Sequence, residues 1–375
     1  MSKFRVVICG GGIAATEGLL RLRRLAGDAV DVTVVAPNDH LHYRPLAVQE
    51  PFARPSARRY PLRRILQDGD AEWLQGTVDW IDADGQVVHT GEGQSAPFDA
   101  LLLAVGGRPT VTLDHVTVFD DARADETFNG LVKDVEDGYT KLVALVVPDG
   151  PAWPLPVYEL ALMTAERAYS SGMDDTEIVV VTPEPAPLAA FGERASGAIG
   201  EVLERSRVRV ITGSHGEVPA SRRLVVQPSG DELEPQRIVA LPRVDGPGIR
   251  GLPAVDGGFI PIDDRCRVEG VGEHVFAAGD ATNFPIKHGG LGAQQADTAA
   301  AGIAALQGAA AVPEPLSPVM RGVLYTGREP LYLTTVIVDG RAGESEITRD
   351  APWPEEQKVV AEELGPYLSK LDARR

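Results

Sequence analysis

The chain opens on an apolar run, Phe4-Arg5-Val6-Val7-Ile8-Cys9, that ends at three consecutive glycines. A short apolar run bounded by glycine reads as a buried strand over 4–9. Ile13, Leu19, Leu20 and Leu22 then recur at helical spacing among arginines, which predicts a helix over 13–25. Val30 to Val35 reads as the next strand, completing a βαβ unit. The same alternation returns later. Residues 141–147 predict a strand, Val157 to Tyr169 a helix and Glu177 to Thr182 a further strand, so a second unit is expected over about 122–237. Between the two, Trp73 to Asp82 and Gln86 to Thr90 read as a meander. Phe98 to Leu103 reads as a buried strand running into Ala104-Val105-Gly106-Gly107-Arg108-Pro109. Leu241-Pro242 marks a return to the first unit. Ala293 to Leu306 predicts an alanine-rich helix, and Pro313, Pro315 and Pro318 form a linker to a small terminal region.

The turn after the first strand carries the chemistry. Gly10-Gly11-Gly12-Ile13-Ala14-Ala15 is a G-x-G-x-x-A sequence placed between a strand and a helix. Gly10 allows a tight turn, Gly12 lets backbone approach a pyrophosphate, and Ala15 keeps helix and strand close. The N-terminus of the helix, at Ile13 and Ala14, then presents free N–H groups and the positive end of the helix dipole. The feature predicts a dinucleotide, FAD or NAD. The expected fold class is therefore α/β, with two Rossmann-like domains and a small C-terminal region. The first domain spans 1–121 and 238–312, split around the second at 122–237, and the terminal region is 313–375. The acidic residue that commonly ends the second strand and binds the adenosine ribose is absent. Pro37 and Asn38 stand there instead.

Length and charge narrow the picture. A chain of 375 residues exceeds one ordinary core. Its net charge of −18 disfavours nucleic acid and anionic membrane as partners. The exception is 44–64, where Arg44, Arg54, Arg58, Arg59, Arg63 and Arg64 face a single Glu50. That stretch reads as a solvated, ion-paired face, or as a docking patch for an anionic ligand or acidic partner protein. No apolar run approaches the ~20 residues of a membrane span. The start of the chain lacks the pattern of a signal peptide, so the expected location is cytoplasmic. The two cysteines, Cys9 and Cys266, form neither a CxxC pair nor a metal-ligand set, and no metal site is expected.

A further motif, Val275-Phe276-Ala277-Ala278-Gly279-Asp280, completes a set. The order of these motifs resembles that of the FAD-dependent pyridine nucleotide–disulfide oxidoreductase superfamily over most of the chain. His40-Leu41-His42-Tyr43-Arg44-Pro45-Leu46 stands where disulfide reductases carry their redox cysteines. That segment and 283–296 are similar to the sulfide:quinone oxidoreductase and type II NADH dehydrogenase branch. The resemblance implies FAD as cofactor. It implies contacts from Gly10, Gly12, Ile13, Ala14, Ala15, Pro37, Asn38, Arg44, Pro45 and Val78 in the first half of the domain. Ala104, Val105, Gly106 and Arg108 follow, and then Gly279, Asp280, Gly290, Leu291 and Gln294. Asp280 would accept from the ribityl chain, and Lys287 would stabilise negative charge on the reduced ring. Tyr43 and Pro45 would wall the ring.

The second unit lacks the corresponding phosphate cradle. Gly150-Pro151-Ala152-Trp153-Pro154-Leu155-Pro156 keeps one glycine, and its three prolines have no N–H. Glu159 matches an acidic residue that the superfamily places near the flavin N5 edge, and equally fits a helix-terminal carboxylate balancing the dipole. Lys287 and Glu159 are the candidate catalytic residues. The absence of matching cysteines argues against a disulfide reductase and against a sulfide relay. Val360, Leu364, Tyr367, Leu368 and Leu371 predict a helical face that packs on the protein or on a second subunit, with weak peripheral membrane attachment as the alternative. Gly365-Pro366 is expected to interrupt it. Three functions follow. The first is an FAD-dependent oxidoreductase passing electrons between a small donor or partner protein and a quinone-like or other acceptor. The second is an NAD(P)H:acceptor oxidoreductase with an unconventional nicotinamide site. The third is a non-enzymatic FAD-binding partner. A homodimer is the superfamily expectation.

Overall fold

A computed structural model describes residues 3–53, 58–338, 340–354 and 358–373. Five parallel strands form the first sheet, in the order Val275–Ala277, Ala100–Leu103, Phe4–Cys9, Val30–Ala36 and Ala71–Gln75. Val6 to Cys9 are buried on both faces of this sheet, as central parallel strands require. The Ile13–Ala26 helix connects the first two strands in sequence and lies against the Gly289–Gln307 helix. Small residues set that approach. A Cβ on Gly18 would stand 2.6 Å from the Leu102 side chain and 3.5 Å from Ala296.

The second sheet is also parallel, in the order Thr117–Val118, Arg237–Ala240, Leu142–Val146, Glu177–Val181 and Val208–Ile211. It recruits Thr117–Val118 and Arg237–Ala240, so it begins before residue 122 and ends after residue 237. The helices Ala124–Glu136, Leu155–Ser170 and Glu193–Arg205 cover it. An antiparallel ribbon, Arg108–Thr110 on Arg243–Asp245, ties the two passages of chain that run between the sheets.

Three differences from the sequence reading have physical causes. Ala71–Gln75 belongs to the first parallel sheet, and the meander is Val78–Asp82, Val87–Thr90 and Ser95–Pro97. Alternating polar residues in an edge strand mimic a half-exposed hairpin. The terminal region contains an antiparallel sheet, Val319–Leu324, Leu331–Val338 and Arg341–Thr348, whose buried side joins the core of the second unit. Gly365 and Pro366 do not break the last helix. They lie in the first turn of Leu364–Asp372, where proline is tolerated because its missing N–H has no intrahelical partner. Leu364 and Leu368 are buried and Tyr367 and Leu371 pack beside them on the body of the protein, while Val360 precedes the helix.

Candidate functional site

The carboxyl ends of three adjacent strands bring the three glycine motifs to one edge of the first sheet. Gly10 donates to the Val35 carbonyl at 2.8 Å, Ala104 to the Cys9 carbonyl at 2.8 Å and Ala278 to the Leu103 carbonyl at 2.9 Å. Gly10 has a φ of +130°, and a Cβ there would stand 2.1 Å from the Ala104 carbonyl oxygen. Only glycine fits that turn. Gly12, by contrast, faces open space, with no heavy atom within 4 Å of where its Cβ would be. The helix it starts carries no side-chain cap and no acidic residue in its first turn. An uncapped helix N-terminus behind an open glycine is the cradle that a pyrophosphate needs. Ile13 and Ala14 form its first turn, and buried Ala15 packs onto the sheet core.

Gly279 and Asp280 close the crevice from the other strand. Gly279 has a φ of +79° and donates to Gln295 Oε1 at 2.7 Å. A Cβ on Gly292 would lie 2.9 Å from Gly279 Cα, so the Gly289 helix rests directly on this turn. Burial pushes the Asp280 carboxyl up; Lys287 opposes the shift and Asp121 adds to it. Lys287 is buried. Its ammonium donates to the Thr282 carbonyl at 2.6 Å and sits 3.7 Å over the Phe259 ring. Burial lowers it to about 8, against the pull of Asp280. Asp121 comes from the stretch between the two units and pairs with exposed Arg44 at 3.2 Å. Nothing in the sequence around Asp121 signalled it. Gln295 was not separable from Gln294 in sequence, because both stand on a helix of small residues.

The remaining candidates divide. Ala104 is buried in the turn, while Val105 and Gly106 are half-buried beside it. A Cβ on Gly106 would meet nothing within 4 Å. Asn38 is exposed at the end of its strand, and the Pro37 carbonyl accepts from Gln75 Nε2 at 3.3 Å. Pro45 is half-buried, Val78 packs under the meander, and Arg108 lies exposed in the connecting ribbon. Four expectations are corrected. Gln294 faces away: its amide donates to the Gly290 and Val319 carbonyls and accepts from Val319 N–H, stitching the helix to the terminal sheet. Gly290 and Leu291 direct their N–H groups to His288 Nδ1 at 3.2 and 3.3 Å, so the helix end is capped from within. His288 stays neutral to serve as that acceptor, with burial pushing it down to about 4. Tyr43 lines a pocket beneath the terminal helix with Arg58, Tyr60, Leu364 and Leu368, and its hydroxyl accepts from Val359 N–H at 2.9 Å. Glu159 is fully buried and holds Lys358 Nζ at 2.7 and 2.6 Å as well as Tyr325 N–H at 3.0 Å. Every bond it makes is internal, and the lone Lys358 gave no signal in sequence.

The second unit has a pocket at the carboxyl end of its central strand, lined by Val147, Pro148, Asp149, His215, Gly216 and Arg243, but its next helix is not entered through an open glycine. The Leu155 helix begins at buried Pro154, and Trp153 covers it, with ring centroids 4.8 Å from His288 and 5.9 Å from Phe191. Glu184, beyond the next strand, accepts from the Tyr158 hydroxyl at 2.7 Å and the Thr182 hydroxyl at 3.1 Å. Burial pushes the thiols of Cys9 and Cys266 well above the usual range, so neither is a ready nucleophile. Much of the basic stretch is spent internally: Arg58 pairs with Asp372, Arg64 with Asp68 at 3.0 Å, and Arg63 lies over Trp73. Arg54 lies outside the described residues. No helix among the described residues is long and apolar enough to cross a membrane.

Two five-stranded parallel sheets, with a glycine crevice on the first, define an α/β fold of two Rossmann-like units. Residues 4–143 match the pyridine nucleotide-disulphide oxidoreductase family. The chain's fold is similar to that of the sulfide:quinone oxidoreductase from Aquifex aeolicus, with a TM-score of 0.80 and 16% identity over 92% of this chain and 87% of that one. A ferredoxin reductase from Rhodopseudomonas palustris matches with a TM-score of 0.67 and 20% identity, covering 89% and 83%. The reductase of a covalent putidaredoxin reductase–putidaredoxin complex matches with a TM-score of 0.65 and 18% identity, covering 90% and 82%.

Proposed function

We propose that the protein is an FAD-dependent oxidoreductase that takes its electrons from a donor other than NAD(P)H. One contrast carries this reading. The Ile13 and Leu155 helices both start without a side-chain cap, but the first is entered through an open glycine and the second through three prolines and a packed tryptophan. The residues fit FAD. Gly10, Gly12, Ile13 and Ala14 would hold the pyrophosphate, and Asp280 the ribityl chain. FAD supplies reversible two-electron transfer between a donor and an acceptor. Lys287 contributes a buried positive charge next to Asp280. With a value of about 8 it is close enough to neutrality to hold or release a proton. Phe259 and Thr282 fix its ammonium, and Gln295 fixes the turn bearing Asp280.

The buried thiols support excluding disulfide and sulfide chemistry of the cysteine type. A quinone-like acceptor or a partner protein is the acceptor class, in keeping with neighbours named as a quinone oxidoreductase and as ferredoxin reductases. Anaerobic titration with NADH and then NADPH tests the proposal. The flavin absorbance is expected to persist and to bleach with dithionite. Rapid saturable bleaching by either nucleotide would overturn it.

A further inference from the structure

Two carboxyl groups outside the proposed chemistry meet where three helices come together, one of them on a half-buried residue, Asp297. Glu17, on the first helix, is fully buried. Its carboxylate accepts Glu363 N–H at 2.8 Å and Leu364 N–H at 2.6 Å, capping the Leu364 helix from across the fold. Asp297, on the Gly289 helix, hydrogen-bonds to Glu17, and its Oδ1 is buried without a partner. Two carboxyl groups in hydrogen-bond contact need a proton between them. Glu17, which accepts two N–H bonds, is the better anion, so the proton resides on Asp297. The other charged groups facing the pair are Arg21 and Arg24 of the first helix and Glu362 and Glu363 of the terminal segment. Arg21 reaches Glu362 at 2.9 Å and Glu363 at 3.2 Å, and Arg24 reaches Glu363 at 2.7 Å. An ionised Asp297 would set four carboxylates around two guanidiniums.

We propose that the proton shared by Glu17 and Asp297 latches segment 358–372 onto the first helix, and that its loss frees this segment from the rim of the crevice. The segment has reason to matter there. Val359 side-chain carbons lie 3.1 Å from where a Cβ on Gly289 would be, and the Val360 carbonyl lies 3.5 Å from that of Gly290. It therefore crosses the start of the helix that rests on the Gly279 turn. Burial, then the charge of Glu17, pushes Asp297 up to about 8 from an ordinary 3.8. The latched state thus holds a proton that the released segment does not. Latching is strongest below the ordinary 3.8, weakens by about tenfold per pH unit above it, and levels off once pH has passed about 8. The effect on the crevice, though not the latch itself, rests on the flavin reading.

Amide exchange by mass spectrometry on the full flavin-loaded chain tests this, with rates corrected for intrinsic pH dependence. Between about pH 7 and about pH 9 the wild-type amides of Glu363 and Leu364 are expected to lose roughly tenfold protection, while Asp297→Asn, which keeps a donor and cannot ionise, holds its protection. Equal protection of wild type at both pH values would overturn the latch, as would an equal loss in Asp297→Asn. Should that variant fail to fold, Glu17→Gln serves: it is expected to show weaker protection than wild type at the lower pH and a flat pH response, and an unchanged wild-type-like response would refute the proposal. Purified protein without flavin would overturn the cofactor reading alone, because the exchange measurement reads the terminal segment.

Discussion

Lys358→Met is the substitution whose cost the structure fixes best. Glu159 is 0% exposed and Lys358 6%. The lysine supplies two charge-assisted bonds, at 2.7 and 2.6 Å, and lies 4.6 Å over the Tyr325 ring. Methionine fills similar volume but leaves Glu159 with only Tyr325 N–H at 3.0 Å. Breaking one side of a buried pair costs about 3–5 kcal/mol, because the remaining charge is stranded. The double variant Glu159→Gln/Lys358→Met removes both charges and keeps an acceptor for Tyr325, so it is expected to cost only about 1–2 kcal/mol. Urea unfolding followed by tryptophan fluorescence measures both. Glu159 adds a pH signature. Burial already pushes its carboxyl up, and Lys358 is the main force opposing that shift. In Lys358→Met the folded state binds a proton that the unfolded chain releases, so the deficit relative to wild type shrinks as pH falls. A single-variant cost under about 1 kcal/mol, or a double-variant cost equal to the sum of the singles, would refute the assignment of a buried, mutually dependent pair.

Gly10→Ala is expected to abolish flavin retention on purification, since its Cβ would overlap the Ala104 carbonyl oxygen; a variant that keeps its absorbance refutes the turn's role. Lys287→Ala is expected to lower the flavin midpoint potential by removing a buried cation, and an unchanged potential would take Lys287 out of the mechanism. Gln295→Leu leaves Gly279 N–H without its acceptor and is expected to destabilise by about 1–3 kcal/mol and to weaken flavin binding together, read by thermal melts with and without added FAD. His288, held down to about 4, binds fewer protons folded than unfolded, so wild-type stability is expected to fall as pH drops from about 6.5 through 4; His288→Asn, with a neutral capping oxygen, is expected to flatten that decline.

The parts of this molecule legible in sequence were those governed by short-range rules. Gly10 is demanded by one turn and Gly12 stands open beside it, and their neighbours along the chain suffice to place them between strand and helix. The prolines of 151–156 were legible for the same reason, since a lost N–H is a property of the residue itself. Glu159 escaped because its role is decided by a lysine 199 residues away. Gln294 and Gln295 are adjacent and chemically identical, yet one faces the Gly279 turn and the other the terminal sheet. Helix phase decides between them, and small residues on every side gave that phase no hydrophobic marker. Thr117–Val118 joined the second sheet through register with Arg237–Ala240, a pairing that two residues cannot advertise.

The contact between Glu17 and Leu364 spans 347 residues. The glycine turn and its helix are synthesised early, but their covering segment emerges only after nearly all the intervening chain has left the ribosome. N-terminal units fold first during synthesis. The crevice is complete only once Val275–Ala277 and the Gly279 turn have joined the first sheet, and it stands open from then until the terminal segment docks as a late, long-range event. A cofactor can enter before that event without displacing anything, whereas reloading a finished molecule must work against the anchors at Tyr43, Glu159 and Glu17. The order in which the chain is made thus favours one loading in the life of each molecule.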